Sequence, residues 1–484
     1  MSEKIEHLIV LMLENRSFDN MLGFLKHPNK KFEGLSGKES NIIKLGEPPI
    51  FVSDDSDHTI NPDPAHDHES VMQQITGIVG LPKKPYIINN SGFAANHELK
   101  SAKKFPPGNG AKVMKCHKME NVPVLSKLAL EFAVCDHWFS SVPGQTWPNR
   151  FFALTGQSKG QVNIRIGLNL RRTIFEDLEE NAKSWSIYHD DIALTFDFPK
   201  LLTLKRRKNF KSMQEFHNDV INDQLPNFSF IEPNYFGNDS NSQHPSENEE
   251  GNCNFISGEN LIQEIYSSLY SNYKVFKKTL FVITYDEHGG LYDHVPPPVD
   301  DKYKVDPKDY YNTRNYKFDF SVLGARVPTV LISPFIPKNT LDQVIYDHSS
   351  IVATCRALFA PDTKPFSNRE MHANKFINAL SLTEPRSKED LPKVNRNMEI
   401  CKKQIPLTDK SINQMDEFQL SILKVGQNLD KYMRRENLKK SGFNYIAGDQ
   451  VNLSPLRNEI TTIQDADNFQ KDVVRSFREF CDKK

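Results

Sequence analysis

Several signals that would place the chain in a ready class are missing. The six cysteines (Cys116, Cys135, Cys253, Cys355, Cys401 and Cys481) are scattered and none forms a CxxC pair, so neither a zinc ribbon nor a disulfide-stapled scaffold is expected, and the thiols read as reduced and packed. No long apolar run occurs. The stretch Leu8–Leu13 is too short for a membrane span or a signal core, and the residues before it lack a basic region and a cleavage site. No Sec signal and no transmembrane segment are therefore expected, which leaves a cytoplasmic location, export by a non-Sec route, or peripheral contact with a membrane surface. Charge of one sign is absent too: 61 Lys and Arg nearly cancel 62 Asp and Glu, for a formal net charge of -1. That balance gives no electrostatic reason to expect a nucleic-acid partner. HExxH, GxxxxGK[ST], GxSxG and a clean GxGxxG are all missing, as are repeats and low-complexity tracts.

What is present is enough for a large soluble core. The chain has 484 residues, 38% hydrophobic and 25% charged, which excludes disorder over most of its length. Short buried-type runs at His7–Leu13, Trp185–Tyr188, Phe228–Ile231, Leu280–Tyr285 and Val327–Ser333 alternate with helical spacing at Val122–Phe132 and Ile256–Tyr266. This alternation predicts an α/β fold with a mainly parallel central sheet flanked by helices. Long polar or Gly/Pro-rich stretches at Pro28–Pro64, Pro82–Gly110, Asn234–Asn254 and Pro296–Tyr316 exceed ordinary connections and are expected to wall a site. Past residue 385 the strand signals stop, dividing the chain into a catalytic domain over 1–384 and a mainly helical C-terminal segment over 385–484. There Met415, Phe418, Ile422, Val425, Leu429 and Tyr432 predict a helix packed on the core, with Thr408 as its cap and Gly442 beyond its basic end. A second helix is expected near Asn468–Phe480.

The chemistry is concentrated where two of the apolar runs stop. One ends directly in Glu14-Asn15 and the other in Asp286-Glu287. In an open parallel sheet the carboxyl ends of the strands share one crevice, so both acidic pairs are aimed at one site. Three clustered carboxylates repel each other and are costly to bury, and a divalent cation is the simplest compensation. An all-oxygen donor set suits Mg²⁺, Ca²⁺ or Mn²⁺, with Zn²⁺ also compatible. Either pair alone reads better as a solvated strand end or a helix cap, and it is the occurrence of two such strands that points to a ligand site. Gly289-Gly290 then permits a tight turn with close backbone approach. Thr146 opens an apolar helix-like stretch, where its hydroxyl is either a plain N-cap or, beside an anion-favouring helix end, a nucleophile. Asn149 and Arg150 either orient phosphate or brace that helix. His58, His66, His68, His244, His288, His294 and His348 supply candidates for proton transfer and for contacts to phosphate oxygens.

The residues singled out also carry a resemblance. The blocks Glu14-Asn15-Arg16-Ser17-Phe18-Asp19, Phe139–Arg150, and Thr284–Pro297 are similar to those of the phosphoesterase/phospholipase C family related to alkaline phosphatases. The similarity is greatest to bacterial phosphatidylcholine-preferring and plant non-specific phospholipases C. It extends through Pro62–His66, Arg172–Phe175, Val327–Pro334 and Asp347–Ile351, covers roughly the first 365 residues, and carries nothing over to the C-terminal helices. The resemblance implies an alkaline-phosphatase-like fold and a divalent metal held by Glu14, Asn15, Thr146, Asp286 and Glu287. It implies Thr146 as nucleophile, and His66, His244 and His288 as the phosphate-contacting catalytic histidines. Further phosphate contacts are expected at Asn149, Arg150, His294 and His348. Trp147 stands where the family has a small or polar residue and is expected to reshape the pocket beside the nucleophile. The implied reaction is hydrolysis of a glycerophospholipid such as phosphatidylcholine to diacylglycerol and a phosphorylated head group, through a phosphothreonine intermediate. Two other readings remain: an acid phosphatase acting on phosphomonoesters, and a catalytically silent lipid-binding or effector protein.

Overall fold

The computed structural model describes residues 4–102, 104–165, 169–245, 251–394, 415, 417–440 and 460–482. Its spine is one eight-stranded sheet. In chain order the strands are β1 (His7–Leu13), β2 (Ala133–Cys135), β3 (Trp185–Tyr188), β4 (Phe210–Lys211), β5 (Phe228–Ile231), β6 (Thr279–Tyr285), β7 (Val330–Ile332) and β8 (Thr340–Asp342). They lie side by side as β8-β2-β7-β6-β1-β5-β3-β4. All neighbours run parallel except β7, which is antiparallel to both β6 and β2. The two longest strands, β1 and β6, are buried along all seven residues. They are apolar almost throughout because helices cover both faces of the sheet at its centre.

The helices that matter here are α1 (Phe18–Leu22), α2 (His68–Thr76), α3 (Thr146–Thr155), α4 (Gly251–Ser271), α5 (Ser349–Phe359), α6 (Glu417–Lys440) and α7 (Ile463–Asp482). The sheet and most of these helices share one large apolar core. The long connections are not structureless. A second apolar cluster, including Val52, Ile60, Met72, Phe93, Val113, Phe318 and Phe320, lies beneath them, and short strand pairs at Ser40–Asn41 with Ile50–Phe51 and Tyr311–Asn312 with Lys317–Phe318 stiffen two of them.

The predicted mainly parallel α/β sheet is what the structure has. The C-terminal helix packs on the core as its apolar spacing requires: Phe418, Ile422, Val425, Leu429 and Met433 join the main cluster. Thr408 and Gly442, expected to bound that helix, lie outside the described residues. Phe477 of α7 packs edge-on against Phe196 and Phe210, and Tyr432 of α6 donates from its hydroxyl to the Leu202 carbonyl at 2.9 Å. No helix of the described residues is long and apolar enough to cross a membrane. Cys116, Cys135, Cys355 and Cys481 are free thiols, the first three buried.

Candidate active site

The register of the two central strands builds the site. Leu13 of β1 pairs with Tyr285 of β6, so the residues that follow, Glu14 and Asp286, emerge side by side at the carboxyl end of the sheet. Asn15 turns there through a left-handed conformation (φ 53), one that asparagine tolerates better than most residues. Its backbone N–H donates to Asp286 Oδ1 at 2.9 Å. Gly289 allows the loop after β6 to lie against this turn, since a Cβ on it would stand 2.2 Å from the Asn15 carbonyl oxygen.

Thr146 is the first residue of α3, with Gln145 in the cap position. The Thr146 hydroxyl is therefore not spent on capping. It donates to Glu14 Oε2 at 3.3 Å. One turn later on the same face, Arg150 sends Nε to Glu14 Oε1 at 3.0 Å, pairs with that oxygen through Nη2 as well, and donates to the Met12 carbonyl. Its Nε also lies 3.9 Å from Asp286 Oδ2. Burial pushes the Glu14 carboxyl well above its ordinary value, with Arg150 opposing and Asp286 reinforcing the shift. Glu287 is pushed up to about 8 by burial, with His66 opposing the shift.

The histidines separate by what they touch. His66 makes a 3.0 Å hydrogen bond from Nδ1 to the Pro64 carbonyl and faces His244 edge-on at 6.1 Å between ring centres. His244 Nε2 meets Asn15 Nδ2 at 2.8 Å, and burial holds its pKa well below the usual value. His288 sits behind Glu287, with Nδ1 3.4 Å from that carboxylate and Nε2 fixed by Gln74; burial pushes it down to about 3. A cavity of about 280 Å³ opens beside these groups, lined by the Asp63–Asp67 segment, Gln145 and Phe418.

Other expected site residues have different work. The Asn149 amide donates to the carbonyls of Val142, Gly144 and Gln145 and accepts from the Val142 N–H. It braces the loop before α3 and has nothing left for phosphate. His348 is also fully engaged, with Nε2 on the Asp286 carbonyl at 2.5 Å and Nδ1 accepting from Trp138; it fixes the backbone at the end of β6. His294 belongs to a separate network with Asp19, Asp293 and Arg326. His68 is held between the Pro143 carbonyl and the Tyr316 hydroxyl, and His58 stacks on Phe255. Trp147 is not among the residues lining this cavity: it is buried against Phe151 and donates to Ser421 Oγ of α6 at 3.0 Å.

Among the described residues, no three His, Cys, Asp or Glu side chains are arranged to hold a metal ion by themselves, and Glu14 is turned towards Arg150. The full donor set nevertheless fits a hard cation. Asn15 Oδ1, Asp286 Oδ2 and Glu287 Oε1 are all buried without a hydrogen-bond partner, a state that buried oxygens rarely keep. With all three carboxylates ionised, the single Arg150 guanidinium would leave two negative charges to balance, which is the charge of one divalent ion.

The role of Arg150 as Glu14's partner is not legible in the sequence beyond its choice between phosphate and helix; its position four residues after Thr146 is the available signal. Phe418 escapes sequence reasoning as a site residue, because its spacing marks it only as core.

Comparison with known proteins gives the site its context. The chain is 34% identical over 497 residues to non-specific phospholipase C1 of Arabidopsis thaliana, covering 98% of this chain and 86% of that protein. It is 36% identical to non-specific phospholipase C6 of the same plant, over 79% of this chain and 74% of the relative. It is 27% identical to phospholipase C B of Mycobacterium tuberculosis, over 73% of each. The first similarity runs well past residue 365 and into the C-terminal helices, further than the sequence blocks alone suggest. Among solved structures, a protein in the alkaline phosphatase superfamily from Vibrio parahaemolyticus is 14% identical with a TM-score of 0.30, over 56% of this chain and 65% of that one. The sequence model of the Phosphoesterase family matches residues 5–360, and the chain belongs to that family.

Proposed function

We propose that this chain is a phospholipase C that hydrolyses glycerophospholipids to diacylglycerol and a phosphorylated head group, with Thr146 as the nucleophile. The observation that carries the reading is the hydrogen bond from the Thr146 hydroxyl to Glu14, which leaves the sheet beside Asp286, next to buried oxygens with no partner. Family membership and the named phospholipase C relatives support the reaction class.

A divalent cation, Mg²⁺, Ca²⁺, Mn²⁺ or Zn²⁺, would be held by Glu14, Asn15, Thr146, Asp286 and Glu287, and would neutralise phosphate charge and acidify the hydroxyl it touches. The chain's own residues do the rest. Glu14 accepts the hydrogen bond of Thr146 Oγ1 and orients that oxygen. Thr146 Oγ1 passes its proton to Glu14 and attacks phosphorus in line as the bond to the glycerol oxygen breaks. His66, or His244 once the charge of the bound phosphate favours its protonated form, gives the departing diacylglycerol oxygen its proton. The same histidine then takes a proton from the water that attacks the phosphothreonine while Glu14 returns its proton to the departing Thr146 oxygen, which frees the phosphorylated head group and restores Thr146. Arg150 holds Glu14 in place and partly balances the acidic cluster, and His288, behind Glu287, positions that carboxylate.

The test is incubation of purified protein with phosphatidylcholine, other defined phospholipids and p-nitrophenyl phosphate under a panel of divalent ions, with products identified by mass. Release of phosphocholine and diacylglycerol that stops on chelation is the expected result. Cleavage of p-nitrophenyl phosphate alone would make the protein a phosphomonoesterase, and lipid binding without head-group release under every ion would make it a silent binder.

A further inference from the structure

The C-terminal helix reaches the catalytic groups through one turn. Phe418 of α6 is 3% exposed, and its ring lies parallel to the His244 imidazole, 5.4 Å between centres with 4° between planes. Tyr235 packs edge-on against Phe418, 5.6 Å between ring centres at 83°. Three residues later, Ser421 Oγ accepts the indole N–H of Trp147, the residue after Thr146, and donates to the Phe418 carbonyl at 2.6 Å. Below this turn Ile422, Val425, Leu429 and Met433 are sunk in the main core. A single anchored turn thus touches both a candidate acid histidine and the helix that carries the candidate nucleophile.

We propose that Phe418 is a positioning residue for the reaction, acting through His244 by holding its ring plane in the orientation that presents Nε2 to Asn15. The terminal torsion of histidine is broad and roughly two-fold, so the side chain alone does not select a ring orientation. The 2.8 Å contact between Asn15 Nδ2 and Nε2 fixes one atom of the ring. A coplanar aromatic face fixes its plane, because rotation of the imidazole would drive its edge into Phe418. An acid that is misplaced by about 1 Å costs roughly 100-fold in rate. The role of His244 rests on the proposed phospholipase C reaction, but its contact with Phe418 does not.

The experiment compares Phe418→Leu, which keeps apolar volume without a flat face, with Phe418→Tyr, which keeps the face. On a short-chain phosphatidylcholine below its micelle concentration, kcat should fall about tenfold or more in Phe418→Leu with KM within about twofold, and Phe418→Tyr should stay within about threefold of the parent. In a His244→Ala background, Phe418→Leu should cost nothing further, since a residue acting only through His244 has nothing left to act on. Retained kcat in Phe418→Leu overturns the proposal. So do equal losses in both variants, a change confined to KM, or a full additional loss in the His244→Ala background. If the parent cleaves only p-nitrophenyl phosphate, the same comparison is run on that ester, and the substrate reading fails separately. A substrate-free check uses protein with ¹³C-labelled histidine: loss of the stacked ring should shift the His244 Hε1 resonance in Phe418→Leu but not in Phe418→Tyr, and an unmoved resonance overturns the stacking.

Discussion

Two buried clusters of acids and arginine lie close in the chain and behave in opposite ways. In one, Arg326 gives Nε to Asp293 Oδ1, Nη2 to Asp19 Oδ1, and Nη1 to the carbonyls of Glu33 and Asp136. Asp19 Oδ2 then takes both the backbone N–H and the Nδ1 of His294, and Asp293 Oδ2 takes the Asp19 N–H. In the other, Arg150 serves Glu14, yet Asn15 Oδ1, Asp286 Oδ2, Glu287 Oε1 and Arg150 Nη1 are left without partners. The first cluster ties α1, the loop after β6 and the approach to β7 into one piece. The second keeps polar atoms open at the cost of their desolvation, which a chain bears where those atoms bind something else. Composition does not separate a brace from a site; completeness of hydrogen bonding does.

The sharpest way to break this contrast is at the hydroxyl. Thr146→Ala removes an oxygen whose hydrogen bond goes to Glu14 Oε2, so turnover should fall by at least about 10³-fold while the fold is kept. Head-group release and a thermal melt on the same preparation decide it. A Thr146→Ala enzyme with substantial activity removes the nucleophile, and with it the distinction between the open and the closed cluster.

A second pair of variants exchanges the expected effects. Arg326→Ala leaves Asp19 and Asp293 buried without their shared cation and should destabilise the protein by about 3–5 kcal/mol in denaturant unfolding. Asp286→Asn can keep the bonds from the Asn15 and Glu287 N–H groups to Oδ1, and it removes a charge that raises the Glu14 carboxyl. Metal-free stability should therefore change by less than about 1 kcal/mol, or rise, while turnover is lost. Similar unfolding losses in both variants would mean that the two clusters do the same job.

How much of this is readable in advance follows from the same contrast. Glu14, Asp286 and the parallel central strands are legible because an unbroken apolar run that stops in acids is, in an α/β chain, most simply a central strand ending at the crevice. Val330–Ile332 reads as a strand, but its direction is hidden, since a run buried on both faces looks alike whether parallel or antiparallel. Ala133–Cys135 and Thr340–Asp342 are three residues each, too short for any period to show. His294, His348 and Asn149 carry the right chemistry for phosphate, and only their partners, brought from 19, 286 and 142, show that it is already used. Phe418 is the reverse case. Its helical spacing announces a core residue, and nothing local says that the surface it meets includes a histidine of the site.

Glu259 falls between the two clusters and gives the smallest and most graded test. Its Oε2 caps the helix Pro123–Glu131 by accepting the N–H groups of Val124 and Leu125, while Oε1 has no partner. Burial pushes its pKa from 4.5 up to about 7, against the two backbone bonds that favour the charged form. Because the folded protein binds this proton more tightly than the unfolded chain, the contribution to stability is fully present below pH 4.5 and is lost as the pH rises through about 7. Glu259→Gln retains a carbonyl oxygen for the cap and cannot ionise. The variant should match the parent near pH 4.5 and gain on it by pH 8, by an amount on the order of 2 kcal/mol. Unfolding curves across that range show the effect as a flattened pH slope. A slope identical to the parent's would mean that the lone Oε1 is solvated after all, and that an unpartnered buried oxygen is a weaker marker of a binding site than the contrast between the two clusters requires.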